Sequence, residues 1–238
     1  MEAGPKSNRV PDNGDPTGLF NRISAVLTVK FPTEEEQKEN KKEKKKGQWE
    51  RSKVDQKNGI TVWKRSNPDP NTPFDQTIVE GHLDNITVDE VAKLMHITEN
   101  RKKWDPNLKD LKEIPNSNLI YFSNKGMKPI WERDAAARRI IKRLDADTDI
   151  CTVESVVDDR MPVNEKEYVR STQHGSGTAI FRNGTGCTVR ILGCVDPGGS
   201  LAVYYIAGWV TGGIMHDMLL NLKKLVTENN DKKKKNKT

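Results

Sequence analysis

The apolar and polar positions near the C-terminus follow a helical period over residues 201–226. Apolar side chains recur every three or four residues, and lysines occupy the last predicted turn, where cations favour the negative end of the helix dipole. Gly208, Gly212 and Gly213 interrupt this pattern, although a glycine inside a helix costs up to about 1 kcal/mol relative to alanine. The pattern predicts a long terminal helix, which is either a core helix with tolerated glycines or a lid that bends over a cavity.

The middle of the chain contains short runs in which apolar and polar residues alternate, as is typical of antiparallel strands. Turns rich in Asn, Asp, Gly and Pro separate these runs, and a capping box at Thr87 and Glu90 begins one helix between them. The predicted strands are residues 60–65, 74–82, 119–123, 132–143, 149–157, 168–173, 178–182 and 187–195. This order of elements predicts an α+β fold with helices on one side of a curved antiparallel sheet.

Three regions are predicted from composition: a tail at 1–47, one domain at 48–228 and a lysine-rich tail at 229–238. Residues 1–16 are rich in Pro, Gly, Asn and Asp and are expected to be disordered. Thr33 and Glu36 begin a short polar helix. An amphipathic helix precedes it and either packs on the domain or contacts a membrane. The apolar residues of that amphipathic helix are Leu19, Phe20, Ile23, Val26 and Leu27.

Charge and cysteine content indicate the cellular compartment of the protein. Its 238 residues carry a net charge of +6, much of it in lysine runs at 38–46 and 232–237. Such runs are typical of solvated tails or of segments attracted to an anionic membrane, and nucleic acid is not indicated because no aromatic residues lie among the lysines. Cys151, Cys187 and Cys194 lack C-x-x-C spacing, which favours a reducing compartment without a zinc site. With no secretory signal and no run of about 18 apolar residues, we expect a cytoplasmic protein that contacts membranes transiently.

Motifs of the common enzyme families are absent from the sequence. The four histidines are scattered, and the adjacent His216 and Asp217 would point about 100° apart on a helix. No activated nucleophile is indicated beside this pair. We therefore expect no catalysis, no cofactor and no metal.

The predicted strand at 132–143 has an unusual interior face. One face is polar from Asp134 onwards and is expected to contact water, whereas the other carries Ala135, Ala137 and Arg139. Two alanines beside an arginine fill a core poorly, so the space next to them is a candidate ligand cavity. Arg139 then pairs with a buried carboxylate, reaches solvent or binds an anionic ligand group, because an unpaired buried guanidinium costs several kcal/mol.

Five short segments give a more specific signal when they are taken together and in order. They are Gly59-Ile-Thr-Val-Trp-Lys-Arg65, Trp104-Asp-Pro-Asn-Leu-Lys-Asp-Leu-Lys-Glu-Ile114, Arg133-Asp134 followed by Arg139, Met161-Pro162 before Tyr168-Val-Arg170, and Cys187-Thr-Val189 before Asp196-Pro-Gly-Gly-Ser-Leu201. With this set, the chain resembles START domains, the steroidogenic-acute-regulatory-protein-related lipid-transfer family, over residues 48–228.

The resemblance implies a helix-grip fold, in which a curved antiparallel sheet wraps around the long C-terminal helix and leaves an internal hydrophobic tunnel. Members of the family hold one lipid there and carry it between membranes, and the terminal helix and an omega loop, here residues 158–167, act as the gate. The gate residues would be Met161, Pro162, Gly212 and Gly213. The ligand-binding residues would be Arg139, Ala135, Ala137, Ser155, Val153, Tyr205, Trp209 and Met218.

One departure from the family pattern bears on the ligand. Many sterol-binding members carry an acidic cavity residue on the strand at 119–123, where the nearest polar position of this chain is Ser123. An arginine without that acid suits a phosphate better than a sterol hydroxyl, so the predicted ligand is a glycerophospholipid. The alternatives are a sterol or fatty-acyl ligand, a lipid sensor that transfers nothing, and an enzyme of the wider birch-pollen-allergen and polyketide-cyclase superfamily.

The remaining expectations concern partners. Tyr205 and Trp209 suit either a choline group, through cation–π contact, or a membrane interface. The predicted partners are one lipid molecule and, transiently, an anionic membrane surface, with no nucleic acid. We expect a monomer.

Overall fold

A ten-stranded sheet organises the part of the chain that the structure describes. The computed structural model covers residues 15–42, 47–69, 72, 74–126, 131–199 and 201–235, with the backbone alone at 41, 42, 201, 202 and 204–209. The strands are β1 (Glu50–Asp55), β2 (Ile60–Arg65), β3 (Gln76–Leu83), β4 (Leu108–Glu113), β5 (Leu119–Asn124), β6 (Arg133–Arg143), β7 (Thr148–Ser155), β8 (Val169–Arg170), β9 (Thr172–Gln173), β10 (Ser176–Asn183), β11 (Gly186–Gly193) and β12 (Val195–Asp196). The helices are α1 (Pro16–Leu27), α2 (Glu34–Lys42), α3 (Val88–His96), α4 (Thr98–Arg101) and α5 (Leu201–Lys235).

Neighbouring strands of the main sheet run antiparallel in the order β1-β2-β3-β11-β10-β7-β6-β5-β4. The strand β8 lies off this path and pairs in parallel with the start of β6. Strands β9 and β12 form a separate two-stranded ladder. Because β3 pairs with β11, with Val79 opposite Ile191, an early and a late strand of the chain lie side by side within the sheet.

Helix α5 covers one face of the sheet, which we call the inner face, and its second half forms the main hydrophobic core there. Leu219 and Leu222 are completely buried among apolar side chains of α3 and of the central strands. Glycines on the sheet allow the helix to approach closely. A Cβ atom added to Gly81 would lie 3.0 Å from Leu219 Cδ2, and one added to Gly193 would lie 2.8 Å from Met215 Sδ. The second half of α5 is therefore pressed against the strands.

Helix α5 continues beyond the predicted end at Val226 and reaches Lys235. Asn230 Nδ2 donates a hydrogen bond to the carbonyl of Asp84 at 3.1 Å, and Lys233 Nζ lies 2.5 Å from Glu90 Oε1. The predicted boundary between domain and lysine-rich tail thus falls inside a helix, because polar contacts with the segment at 84–90 extend it past its apolar stripe. Residues 236–238 lie outside the described part of the chain.

Helix α1 lies on the opposite, outer face of the sheet. The Asp15 side chain caps its N-terminus, and Phe20 is buried in a cluster with apolar residues of the central strands. At its other end, Arg190 Nη1 donates to the carbonyls of Leu27 and Val29 at 2.8 and 2.7 Å. Of the two roles that the sequence allows for this helix, packing on the domain is the one observed. The expected disorder of residues 1–14 lies outside the described part.

The prediction that the polar face of β6 contacts water is wrong at the start of the strand. Asp134 is completely buried, and Arg170 donates to both of its carboxylate oxygens at 2.9 Å. The loop after β7 covers this position, and the side chain of Met161 is buried there against Ala136. Tertiary packing has therefore turned a polar face into an interior one.

Gly212 and Gly213 form a matched pair for testing how tightly α5 is held. A Cβ atom at Gly213 would meet no atom within 4 Å, whereas one at Gly212 would lie 3.3 Å from Val62 Cγ1. We expect Gly213→Ala to raise the free energy of unfolding by up to about 1 kcal/mol through helix propensity. Gly212→Ala should gain less or lose stability, because β2 must yield. Chemical denaturation compares the two variants, and equal gains would show that α5 is not pressed against β2 here.

Candidate functional site

A cavity of about 280 Å³ lies between the inner face of the sheet and residues 210–218 of α5. Strands β6, β7, β10 and β11, the end of α3 and the helix itself contribute to its wall. Most of the surface of that wall is apolar. Among the side chains that contribute to it are Met95, Trp104, Phe122, Val153, Ile191, Val210, Ile214, Met215 and Met218. A concave, mainly apolar site with a few polar groups is the usual form of a small-molecule site.

The structure places three of the predicted ligand-binding residues in this wall: Arg139, Val153 and Met218. The side chains of Tyr205 and Trp209 lie outside the described residues, so their two alternative roles stay predictions.

Ala135, Ala137 and Ser155 lie on the inner face but outside the lining of this cavity. Both alanines are completely buried in a cluster that includes Leu111 and Phe122, so protein side chains fill the space beside them. The hydroxyl of Ser155 accepts a hydrogen bond from the backbone N–H of Gln173 at 2.8 Å. In this arrangement none of the three contacts the cavity.

The predicted gate residues fall in two separate regions. Met161 is buried on the outer face with Leu119 and Val156, and the carbonyl of Pro162 accepts a hydrogen bond from Arg170 Nη2 at 3.1 Å. No residue of the omega loop at 158–167 lines the cavity. Gly212 and Gly213 instead lie in α5, directly after the lining residues Val210 and Thr211.

Arg139 has a carboxylate partner, which is one of the three alternatives that the sequence left open. Its Nη2 atom lies 2.6 Å from Glu113 Oε1, and its Nη1 donates to the carbonyl of His96 at 3.1 Å. The hydroxyl of Thr98 and the guanidinium of Arg139 both hydrogen-bond the Glu113 carboxylate and lower its pKa. The family resemblance places such an acid on β5, whereas here the end of β4 supplies it.

A second arginine, Arg133, lines the same cavity and is bound by backbone carbonyls alone in the described part of the chain. Its Nε donates to Pro197 at 3.1 Å and its Nη2 to Gly198 at 3.5 Å, and its Nη1 donates to Trp131. The residue is only 8% exposed, and burial lowers its pKa. An arginine in this setting keeps a charge that no neighbouring carboxylate balances. In the sequence, Arg133 was noted only as part of the segments that resemble the family.

Lys125 adds a second positive charge at this end of the cavity. Asn124 pairs with Arg133 across β5 and β6, and Lys125 follows it directly. Its ammonium group donates to the carbonyl of Pro106 at 2.8 Å and also lines the wall. We call Arg133 and Lys125 the cationic end.

Neutral polar side chains of β9 and β10 occupy another part of the wall. The hydroxyl of Ser176 donates to Gln173 Oε1 at 2.9 Å. The hydroxyl of Thr178 is buried and has no hydrogen-bond partner within the described residues. Leaving a buried hydroxyl unpaired costs about 1–3 kcal/mol, which an acceptor on a ligand would offset.

Three residues that the sequence did not link lie close together beside the cavity: His96, Asp149 and Cys151. Asp149 and Cys151 lie two residues apart on β7 and share its inner face, and His96 is the last residue of α3. His96 Nε2 lies 2.7 Å from Asp149 Oδ1, and Cys151, which lines the same wall, also favours the charged ring. Burial disfavours the charged ring, but these two partners outweigh it and raise the pKa of His96 to about 9.

This combination of a long antiparallel sheet, a terminal helix and a cavity between them corresponds to a known family. The START domain model matches residues 31–232. The chain belongs to the START domain family. START domains bind lipids, so the cavity under α5 belongs to a lipid-binding domain of a lipid-transfer family. No curated protein matches the sequence.

Solved structures show the same fold. Human StAR-related lipid transfer protein 5 aligns with a TM-score of 0.70 at 20% identity, over 90% of this chain and 98% of its own. Human STARD10 aligns with a TM-score of 0.67 at 21% identity, over 96% of this chain and 86% of its own. A STAR-related lipid transfer protein from Xanthomonas axonopodis aligns with a TM-score of 0.61 at 20% identity, over 75% and 98% of the two chains. The predicted helix-grip fold is confirmed.

Two further candidate features are not found in the described part of this START domain. None of its helices combines the length and the apolar character that crossing a membrane requires. The same residues contain no cluster of three or more His, Cys, Asp or Glu side chains arranged to hold a metal ion.

The pair of His96 and Asp149 makes stability depend on pH. The folded pKa of His96 is about 9 and its ordinary value is 6.5, so the folded state holds a proton between these values that the unfolded state releases. The stabilisation is complete below pH 6.5 and is lost as the pH rises to about 9, by up to roughly 3 kcal/mol. Urea unfolding at both pH values measures it. Asp149→Asn should flatten the dependence, and an unchanged slope in that variant would contradict the assignment.

Proposed function

We propose that this START domain takes up one glycerophospholipid molecule and transfers it between membranes. The observation that supports this is the composition of the cavity, which joins an apolar wall to the cationic end and to a neutral polar wall. A glycerophospholipid has the matching parts, namely acyl chains, a phosphate and ester oxygens. Such a carrier acts by binding and release and needs no catalytic group.

The phosphate is assigned to the cationic end. Arg133 and Lys125 make their described hydrogen bonds to neutral carbonyls, so an anion there would gain charge-assisted hydrogen bonds. Arg139 is less suited to this role because Glu113 already balances its charge. The proposed headgroup site is therefore at Arg133, at the start of β6, and not at Arg139.

The ester oxygens are assigned to the polar wall of β9 and β10. The hydroxyl of Thr178 is a donor without an acceptor, and an ester carbonyl is an acceptor without a donor. Pairing them removes the cost of two buried unsatisfied groups. Ser176 and Gln173 lie in the same wall and extend the polar surface.

Uptake requires the cavity to enlarge. Its volume of about 280 Å³ is below the range of about 300–1,000 Å³ that is typical of sites for drug-sized ligands, and a two-chain lipid is larger than such ligands. We propose that the part of α5 before Gly212 moves, because Met215 and Leu219 are pressed against Gly193 and Gly81. Each methylene gains about 0.8 kcal/mol on leaving water but almost nothing on leaving a bilayer, so transfer needs no energy source.

Membrane contact is proposed at one end of the strands, where β6 begins and β7 ends, and we call this end the contact edge. The two strand ends lie together because β6 and β7 are antiparallel. Three apolar side chains are exposed there: Trp131 before β6, and Val157 and Val163 after β7. Tryptophan favours the membrane interface. Arg133 and Lys125 lie at the same edge and would attract anionic lipid.

The lysines at the end of α5 are less suited to membrane contact. Arg133 binds the carbonyls of Pro197 and Gly198, so α5 begins close to the proposed contact edge. A helix of 35 residues is about 50 Å long, which places Lys232 and its neighbours far from that edge. We therefore assign the attraction to anionic membranes to the cationic end.

A sterol or fatty-acyl ligand is the second candidate, and the pair of Arg139 and Glu113 favours it. Arg139 lines the cavity with its charge already balanced by Glu113, so it suits a neutral hydroxyl group better than a phosphate. The small cavity volume also suits a one-chain or sterol ligand better than a diacyl lipid. A sensor that binds lipid without transferring it would use the same cavity.

The proposed setting is the cytoplasm. All three cysteines are buried and unpaired, as expected in a reducing compartment. The proposed unit is a monomer.

Lys125→Gln tests the phosphate assignment, because it removes the charge at an exposed position where the fold tolerates change. We expect the affinity for phosphatidylcholine, measured by uptake of a fluorescent analogue from vesicles, to fall about tenfold through loss of a charge-assisted hydrogen bond. Cholesterol uptake should not change. Lys102→Gln is the matched control, because Lys102 pairs with Asp110 outside the cavity wall. Equal phosphatidylcholine uptake by both variants would exclude the cationic end as the phosphate site.

Trp131→Ala tests the proposed membrane contact. The side chain is 77% exposed, so we expect the fold and the number of bound lipids to be unchanged while transfer between vesicles slows severalfold. Leu144→Ala is the control, since Leu144 is an exposed apolar residue at the opposite edge, after the end of β6. If both variants transfer lipid at the parent rate, the membrane contacts another surface.

A further inference from the structure

Three polar side chains form a row across the cavity wall at the cationic end. Asn124 of β5 lies opposite Arg133 of β6 on one side and opposite Leu108 of β4 on the other. Asn107 directly precedes Leu108, and its carbonyl accepts a hydrogen bond from the backbone N–H of Lys125 at 2.8 Å. Asn107, Asn124 and Arg133 all line the cavity. Because neighbouring strands lie about 4.8 Å apart, the row spans roughly 10 Å, long enough for a phosphate and the group attached to it.

The side chains of Asn107 and Asn124, which we call the amide pair, are available to a ligand. Both are half-buried, and neither carboxamide makes a hydrogen bond to another residue within the described part of the chain. Each carboxamide offers two N–H donors and a carbonyl acceptor. A hydroxyl group also donates and accepts, so a ligand group with several hydroxyls matches the amide pair. The trimethylammonium group of choline has neither a donor nor an acceptor for it.

The charges at this end of the cavity favour a headgroup without an ammonium group. Arg133 and Lys125 bring two positive charges to the wall, and one phosphodiester balances only one of them. A choline or ethanolamine group would add a third positive charge close to these two, and like charges repel. Asp105 lies in the same wall, but its two oxygens already accept from Arg101 Nε and from the backbone N–H of Asn107, both at 3.2 Å.

The aromatic rings in the described part of the wall are also poorly placed for a quaternary ammonium. The guanidinium carbon of Arg101 lies 6.0 Å from the ring centroid of Trp104 and 5.7 Å from that of Phe122. A cation binds over an aromatic ring within about 6 Å, so Arg101 already holds this position at both rings. Trp131 also lines the cavity, but it is 77% exposed and is assigned above to membrane contact.

We propose that the cationic end and the amide pair select anionic glycerophospholipids whose headgroup is a polyol, such as glycerol or inositol. The inference rests on the proposed function, because it takes the phosphate to bind at Arg133 and Lys125. The hydroxyls of the headgroup then exchange hydrogen bonds with Asn124 and Asn107, farther along the same row. The apolar wall makes no directional contacts, so the headgroup and not the acyl chains decides which lipid is carried.

The test offers the full chain one population of vesicles that contains four dioleoyl lipids: phosphatidylglycerol, phosphatidylinositol, phosphatidylcholine and phosphatidylethanol. All four lie on the same surface, so the attraction of a basic protein to anionic membranes does not bias the comparison. Phosphatidylethanol has the charge of phosphatidylglycerol without its hydroxyls. Native mass spectrometry of the separated protein should show about tenfold more of each polyol lipid than of phosphatidylcholine, and severalfold more than of phosphatidylethanol.

Asn124→Leu removes one carboxamide and keeps a side chain of similar size. Uptake of phosphatidylglycerol should then fall to that of phosphatidylethanol. Asn118→Leu is the matched control and should keep the preference of the parent, because Asn118 is exposed at the other end of β5 and lies outside the cavity wall. If thermal unfolding of Asn124→Leu is not cooperative, Asn107→Leu makes the same test from the segment before β4, with the same expected result.

Uptake of phosphatidylcholine at or above the level of phosphatidylglycerol would overturn the inference while phospholipid uptake stands. Equal uptake of phosphatidylglycerol and phosphatidylethanol would also overturn it, because charge alone would then select the lipid. If no phospholipid is taken up, the proposed function is wrong and the inference falls with it. Free glycerol phosphate should not compete with phosphatidylglycerol, and competition at equal concentration would assign the site to a soluble phosphate ester instead of a lipid.

Discussion

The close approach of α5 to the sheet is the constraint on which the rest of the structure depends. Leu219 lies over Gly81 and Met215 over Gly193, at distances that leave no room for a side chain on either glycine. The same helix contributes Val210, Ile214 and Met218 to the wall of the lipid cavity, so its contacts with the strands also set where that wall lies. The core and the binding site are therefore two ends of one packing arrangement.

A charged side chain of the cavity wall also contacts the segment that leads into α5. Arg133 belongs to β6, yet its guanidinium holds the carbonyls of Pro197 and Gly198, a few residues before α5 begins. On the proposed function, a phosphate at Arg133 competes with these neutral acceptors and binds more strongly, because both partners are charged. Binding the headgroup would then loosen the segment that positions α5. Arg139 has no such link, because its partners are Glu113 and the end of α3.

Local patterns in the sequence predicted helices and strands, but they did not predict which residues pair across long distances in the sequence. The capping box at Thr87 and Glu90 and the helical period of α5 mark elements that their own residues determine. The strand β1 was missed because it lies at the sheet edge and buries neither face, so no alternation appears. The acid that pairs with Arg139 comes from a strand 26 residues away, and His96 is 53 residues from Asp149. A one-dimensional pattern does not contain such pairings, although the shared face of Asp149 and Cys151 follows from the period of two.

The central claim is that the cavity under α5 holds one phospholipid molecule. Native mass spectrometry tests it most directly, on protein purified from a host whose membranes contain both phospholipid and sterol. The account predicts one bound glycerophospholipid per chain, released when the protein is unfolded and regained from mixed vesicles. Recovery of sterol alone, with no uptake of phospholipid from those vesicles, would contradict it and favour the role suggested by the pair of Arg139 and Glu113.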